Sequence, residues 1–360
     1  MERLDSFFLK QHYDASVEEK DKLRLVDSTV DWESFRPILS SIRKSNTEKG
    51  GHPGYDEIVM AKMFILQSLF SLSDEGVEFC CHDRLSFRRF IGFDQQVPDH
   101  CTIWRFRQAI ADNNLDVLIH EEFMRQVEEE GFKVKKGVMQ DAAIIESDIG
   151  KKRSSKEYRE REREEEATPE KKIGGDPSSG TQKEKSKKKV RKYTKKQEQH
   201  IDMDATFVKK NKKSYHGYKL HIKTDIDNDF IRAYEVTTAS VHDSQVDLVE
   251  EGDNLAVRDK GYAGKKLKCN NVRDCTMHKA ARNRPLTDHE KWENKILSRV
   301  RVAVERPFAF IKGHFGRGRT NLKRQPRVRV QQFFNVFTYN ILNLALRRKR
   351  RDDKLKASAG

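Results

Sequence analysis

The chain has 360 residues, 72 of them Lys or Arg against 57 Asp or Glu, which leaves a formal charge of +15. That length can bury a sizeable core and make two domains, and a basic balance of this size points to a polyanionic partner, with nucleic acid the first candidate. Five cysteines without a disulfide-scaffold layout, and no apolar run of signal-peptide or membrane-spanning character, predict a soluble, cytoplasmic protein with no membrane partner.

Residues 55-YDEIVMAKMFILQSLF-70 carry Ile58, Met63, Leu66 and Phe70 at helical spacing behind a first turn of acids. Ser73 is placed to cap a second helix over 73–84. Asp99 is placed to cap a third within 97–111, which displays Arg105 and Arg107 beside Trp104 and Phe106. A basic helix after a helix and a turn is a DNA-reading arrangement, although small helical bundles share it. Residues 1–134 are therefore read as an N-terminal all-α DNA-binding domain.

From 149 to 200 aliphatic side chains nearly vanish, and both charges mix with Gly, Ser and Pro. Such a segment cannot offset its ordering entropy by burial, which predicts a mobile, charged insertion with general DNA affinity and a charged helix at 155–166. Strand signals flank it. The run 138-VMQDAAII-145 is apolar around Asp141, while 218-YKLHIKTD-225 and 230-FIRAYEVTTAS-240 alternate with period two. Then come a helix expected over 242–252 and capped by Asp243 or Ser244, a strand ending on Asp259, and a strand near 275–280. Helices are expected over 287–315 and 327–348, with 349–360 as a basic, disordered tail. The last helix aligns Val330, Phe334, Phe337, Ile341, Leu344 and Ala345 on one face, expected to pack on the sheet.

Adjacent Cys80 and Cys81 lack the two-residue gap of a zinc pair, and Cys275 with His278 has no matching second pair, so buried or neutral roles are favoured for them. Three carboxylates hold more interest: Asp141 inside a strand, Asp259 at the end of another, and Glu305 in 298-SRVRVAVERPFAFIKGHFGRG-318. An Asp in an apolar strand is costly unless paired or bound to a metal. Hard divalent ions prefer such oxygen clusters, and two ions can support both oxygens of an in-line phosphoryl displacement. For Glu305 the competing interpretation is a surface salt bridge, since Arg301, Glu305 and Lys312 share one helical stripe.

These residues resemble the DDE transposases of insertion sequences, in the branch with an RNase H-like catalytic domain. The resemblance rests on Asp141 in 138-VMQDAAIIES-147, Asp259 in 257-VRDKGYAG-264, and the spacing Arg301-x3-Glu305-x6-Lys312. It also rests on 216-HGYKLH-221, 241-VHDSQ-245 and 98-PDHCTIWRFR-107, so that it spans most of 55–345. It implies an α/β fold: an RNase H-like mixed sheet flanked by helices over 135–348, behind the N-terminal domain.

It further implies that Asp141, Asp259 and Glu305 bind two Mg²⁺ or Mn²⁺ ions, and that Arg301 and Lys312 contact phosphates near the scissile bond. Lys260 and Tyr262 stand next to Asp259 as DNA contacts or, equally, as turn residues. For Asp243 capping is favoured over a place near the metals, and His242 stays open. The implied partners are terminal inverted repeats and target DNA, met by a homo-oligomer near the nucleoid. Ser298 stands where the branch often has Tyr, and Pro307 should kink or restart the helix just after Glu305. Two other readings stand beside the transposase: a domesticated DNA-binding descendant without chemistry, and an RNase H-like nuclease that cuts without joining.

Overall fold

A computed structural model describes residues 4–16, 21–42, 54–148, 202–316 and 318–359. The expected insertion and its charged helix lie outside the described residues.

The N-terminal part is helical: α1 Leu4–Ser16, α2 Lys22–Thr29, α3 Arg36–Ser40, α4 Glu57–Phe70, α5 Asp74–Asp83, α6 Leu85–Ile91, α7 His100–Asp112 and α8 Leu115–Glu129. Local chemistry sets several of these boundaries. Asp56 accepts the Ile58 and Val59 N–H groups to start α4, which ends where Ser71 turns left-handed. Ser73 caps α5 through the Gly76 N–H, and Asp99 caps α7 through the Thr102 N–H at 2.9 Å. The seven-residue α6 escapes the sequence reading because it has no side-chain cap of its own and is separated from α5 by Arg84 alone.

The strands are β1 Val138–Ser147, β2 Thr206–Lys210, β3 Lys213–Asp225, β4 Ile231–Thr238, β5 Leu255–Arg258, β6 Arg273–Thr276 and β7 Arg319–Thr320, and among the described residues they form one seven-stranded mixed sheet. β4, β3 and β1 run antiparallel in that order, and β5 and β6 continue parallel to β1. This is the RNase H-like arrangement. β2 turns into β3 through Asn211 and Lys212, both at positive φ, as a two-residue hairpin requires. Where β1, β2 and β3 converge, a Cβ on Gly217 would stand 2.1 Å from the Ile145 carbonyl oxygen, so this motif glycine is fixed by close backbone approach.

β3 alternates as expected, yet both of its faces are covered. Tyr218, Leu220 and Ile222 join Met139 and Ile145 in a core closed by Val304, Ile311, Phe315, Val328, Val336 and Tyr339. On the opposite face Lys219 bonds the Val241 carbonyl and Asp243, and Lys223 pairs with Asp253 at 3.0 Å. The segment expected as a helix over 242–252 supplies that cover instead. It forms only a 3₁₀ turn, Asp243–Gln245, and then runs extended because the Gln140 amide holds both the Val246 carbonyl and the Leu248 N–H. His242 caps the turn, which corrects the capping role expected of Asp243.

After β6 come α9 Asp288–Val300, α10 Val302–Ala309, a π-helical turn Phe310–His314, and α11 Gln325–Ala359. The helix break falls at Arg301, before Glu305, and α10 carries Pro307 inside it. Downstream, the Phe315 N–H reaches the Phe310 carbonyl, the wide loop of a π turn. Asp202 and Asp204 accept the Arg324 and Gln325 N–H groups and start α11. Its 35 residues continue through the stretch expected as a disordered tail. Its apolar stripe is also redirected: Val330, Phe333, Phe334, Phe337, Ile341 and Leu344 join the N-terminal helical core, leaving Val328, Val336 and Tyr339 for the sheet. Phe337 lies edge-on to Trp32, Phe35 and Phe123. Among the described residues no helix is long and apolar enough to cross a membrane.

Candidate active site

Sheet register brings two acids together. Gln140 of β1 pairs in parallel with Arg258, the last residue of β5, so the residues that follow them, Asp141 and Asp259, stand side by side. Adjacent strands lie ~4.8 Å apart. Asp141 faces the helix-covered side with Ile222, its partner across β1 and β3. The Arg258 side chain is 2 % exposed and bonds Thr276, Asp274 and the Lys265 carbonyl, which fixes the chain on both sides of Asp259.

Arg301, at the joint of α9 and α10, spans the two acids. Its Nη1 donates to Asp259 Oδ1 at 3.0 Å and its Nη2 to Asp141 Oδ2 at 3.1 Å. Each aspartate also accepts the N–H of the residue after it, Ala142 at 2.8 Å and Lys260 at 2.6 Å. Burial pushes the Asp141 carboxyl above its usual range, with the Asp259 charge adding to the rise and Arg301 and the Ala142 N–H opposing it.

Glu305 lies in the first turn of α10 and is exposed, and among the described residues its carboxylate meets no hydrogen-bond or ion-pair partner. The salt-bridge interpretation therefore loses its partners: Arg301 is turned to the aspartates, and Lys312 stands in the π turn. Lys312 reaches the surface, but the protein packed about it and nearby Lys210 pull its pKa down, against Asp141 and Glu146. Among the described residues no three His, Cys, Asp or Glu side chains converge as a metal-holding group. Asp141 and Asp259 nonetheless suit a hard divalent cation, because both are oxygen donors already gathered around one positive group.

The other candidates divide. Lys260 is exposed beside Asp259, and Arg105 is exposed on α7 next to Trp104, which is 42 % exposed and lies under the Arg327 guanidinium. Arg107 is a correction: it is 4 % exposed, holds Asp74 through both terminal nitrogens and bonds Gln67, so its donors point inward. Tyr262 is another. It is 1 % exposed, its ring lies under Arg258, and burial with Asp141 and Asp243 nearby raises its pKa. His242 is exposed and bonds Ser244. Sequence reasoning missed the Lys219–Asp243 pair at 2.8 Å, although both residues lie in the quoted segments 216–221 and 241–245.

Comparison with known proteins agrees with this architecture. Residues 11–109 match a transposase domain (DUF772), and residues 195–341, which hold Asp259, Arg301, Glu305 and Lys312, match the transposase DDE domain. The chain is 29 % identical over 253 residues to the transposase for insertion sequence element IS1106 of Neisseria meningitidis serogroup B, covering 68 % of this chain and 77 % of that protein. No solved structure matches significantly. Two transposase domains in order, an insertion-sequence relative and an RNase H-like sheet agree: the chain belongs to the DDE transposases of insertion sequences and is a DNA transposase.

Proposed function

We propose that this transposase binds the terminal inverted repeats of its own element, cleaves a strand there and joins the freed 3′ end to target DNA, with Asp141, Asp259 and Glu305 as its catalytic acids. The observation that carries this reading is the convergence of two aspartates from separate strands on one guanidinium, while the acid four residues beyond that arginine is exposed and, among the described residues, without a partner.

Asp141, Asp259 and Glu305 would hold two Mg²⁺ or Mn²⁺ ions, which when bound supply Lewis-acid stabilisation of the oxygens around phosphorus. Arg301, freed from the aspartates, carries a planar fork suited to phosphoryl oxygens, and Lys312 adds a point charge. Lys260 and Arg105 provide exposed cations for flanking phosphates. In each step an oxygen of water or of a 3′-hydroxyl forms a bond to phosphorus while the opposite P–O bond breaks. The attacking group gives up its proton, and the leaving 3′-oxygen gains one.

Residues 1–134 act in this reading as the DNA-binding domain and 135–348 as the catalytic domain. Pairing of two element ends calls for a homo-oligomer on nucleoid DNA. The test compares wild type with Glu305→Gln on duplexes bearing the repeats that flank the gene, in Mg²⁺ and in EDTA. The expected result is metal-dependent cleavage and joining by wild type, both lost in the variant with DNA binding kept. Wild type that binds those ends but neither cuts nor joins them would favour the DNA-binding descendant, and cutting without joining would favour the nuclease.

A further inference from the structure

Helix α9 lays Leu297 and Val300 against the sheet core, yet it carries a second apolar pair on its outer face. The rest of its inward side carries Glu290, Glu293 and Asn294, which hold the preceding loop. Asn294 bonds both backbone groups of His278, at 2.8 and 3.0 Å, while Glu293 meets the His278 ring and Glu290 meets Arg284. Its outward side carries Lys291, Trp292, Lys295, Ile296 and Arg299. Trp292 is 59 % exposed and Ile296 40 %. Lys291 has only an exposed pair with Asp288, and among the described residues Lys295 and Arg299 have no ion-pair partner.

At 1.5 Å per residue the cations form a row with ~6 Å steps, beside a parallel row of Trp292 and Ile296. Leaving an indole in water forfeits burial that a partner can recover. The unspent cations say what kind of partner it is, since a row of like charge opposes a second copy of itself and attracts a polyanion. Arg301 follows the last residue of the helix, so Trp292 lies ~14 Å along its axis from the arginine that spans the two aspartates, about four base-pair steps.

We infer that the outer face of α9 is a duplex-DNA contact surface, with Lys291, Lys295 and Arg299 on successive phosphates and Trp292 against the sugar and base edges. This rests on the transposase reading above and extends it to a helix that reading does not use. Small cationic and apolar rows of this kind suit a backbone-tracking, sequence-tolerant contact.

The test measures binding of a fluorescent duplex by full-length wild type, Trp292→Ala, Trp292→Phe and the triple variant Lys291→Gln/Lys295→Gln/Arg299→Gln, across a salt series. The triple variant should lose roughly 2–3 units from the slope of log K against log salt, at about 0.9 per phosphate contact. Trp292→Ala should weaken binding roughly tenfold with the slope unchanged, and Trp292→Phe should restore most of it. Wild-type tryptophan fluorescence should be quenched by duplex more than that of Trp292→Phe. Unchanged affinity and slope in folded variants would overturn the inference, and so would unchanged DNA binding with a lower mass by light scattering, which would make the face a contact between copies. If wild type joins strands while the triple variant keeps its slope, only this inference fails; if wild type does not bind duplex at all, the proposed function fails with it.

Discussion

Arg301→Gln tests the idea that the guanidinium stands where a divalent cation acts. A cation entering between Asp141 and Asp259 must displace two charge-assisted hydrogen bonds, at 3.1 and 3.0 Å. In a sheltered setting each is worth ~1.5–3 kcal/mol. The Asp259 side chain is 36 % exposed and that of Arg301 22 %, so solvent screening pulls their pair toward the surface value of under ~1 kcal/mol. Together the two pairs oppose cation entry by about 2 kcal/mol, or roughly 30-fold in affinity. Glutamine keeps some bulk and a hydrogen-bond donor but no charge. On DNA-free protein the variant should therefore bind Mn²⁺ about 30-fold more tightly in isothermal titration calorimetry, while strand joining falls through loss of the phosphate contact. Unchanged or weaker Mn²⁺ binding by a folded variant would refute the reasoning, and Arg301 would then be a structural clasp for the two strands.

Stability should fall in mild acid through two buried histidines, His120 and His221, both held at about 4 by burial. An unfolded histidine takes its proton near pH 6.5, so between pH 6.5 and 4 the unfolded state binds more protons; each site then costs up to ~3 kcal/mol as pH falls. Chemical denaturation at pH 7 and pH 4.5 checks this, and a His120→Gln/His221→Gln variant should show a flatter profile. Phe337→Ala should cost ~4 kcal/mol, since it empties a site ringed by Trp32, Phe35 and Phe123, and denaturant titration should show it. Arg107→Met should cost ~3 kcal/mol by stranding the Asp74 carboxylate, and adding Asp74→Asn should recover most of that in a double-mutant cycle.

What could be read from the sequence was what neighbours in the chain decide. Asp56, Ser73 and Asp99 cap groups two or three residues away, so α4, α5 and α7 were legible. The side of α7 that Arg107 takes depends on Asp74, more than thirty residues earlier, and an exposed-looking arginine proved internal. Segment 242–252 has helix-starting residues, but Gln140 and Lys219 from distant strands claim its backbone and Asp243. Asp141 and Asp259 stood out in the sequence as acids in or beside apolar strands, whereas their adjacency needs the parallel register of β1 with β5. The role of Arg301 between them needs that register and the helix break as well.

The path of α11 has a consequence for timing during synthesis. Phe35 and Phe64 are made early, yet the rings that complete their aromatic cluster, Phe337 and Phe334, come from α11. A ribosome adding ~5–20 residues per second leaves the early helices without their central partner for many seconds. The early helices can pair Trp32 with Phe90 and Phe64 with Phe106 among themselves, but the side of their core that Phe333, Phe334 and Phe337 fill stays open until α11 has been made.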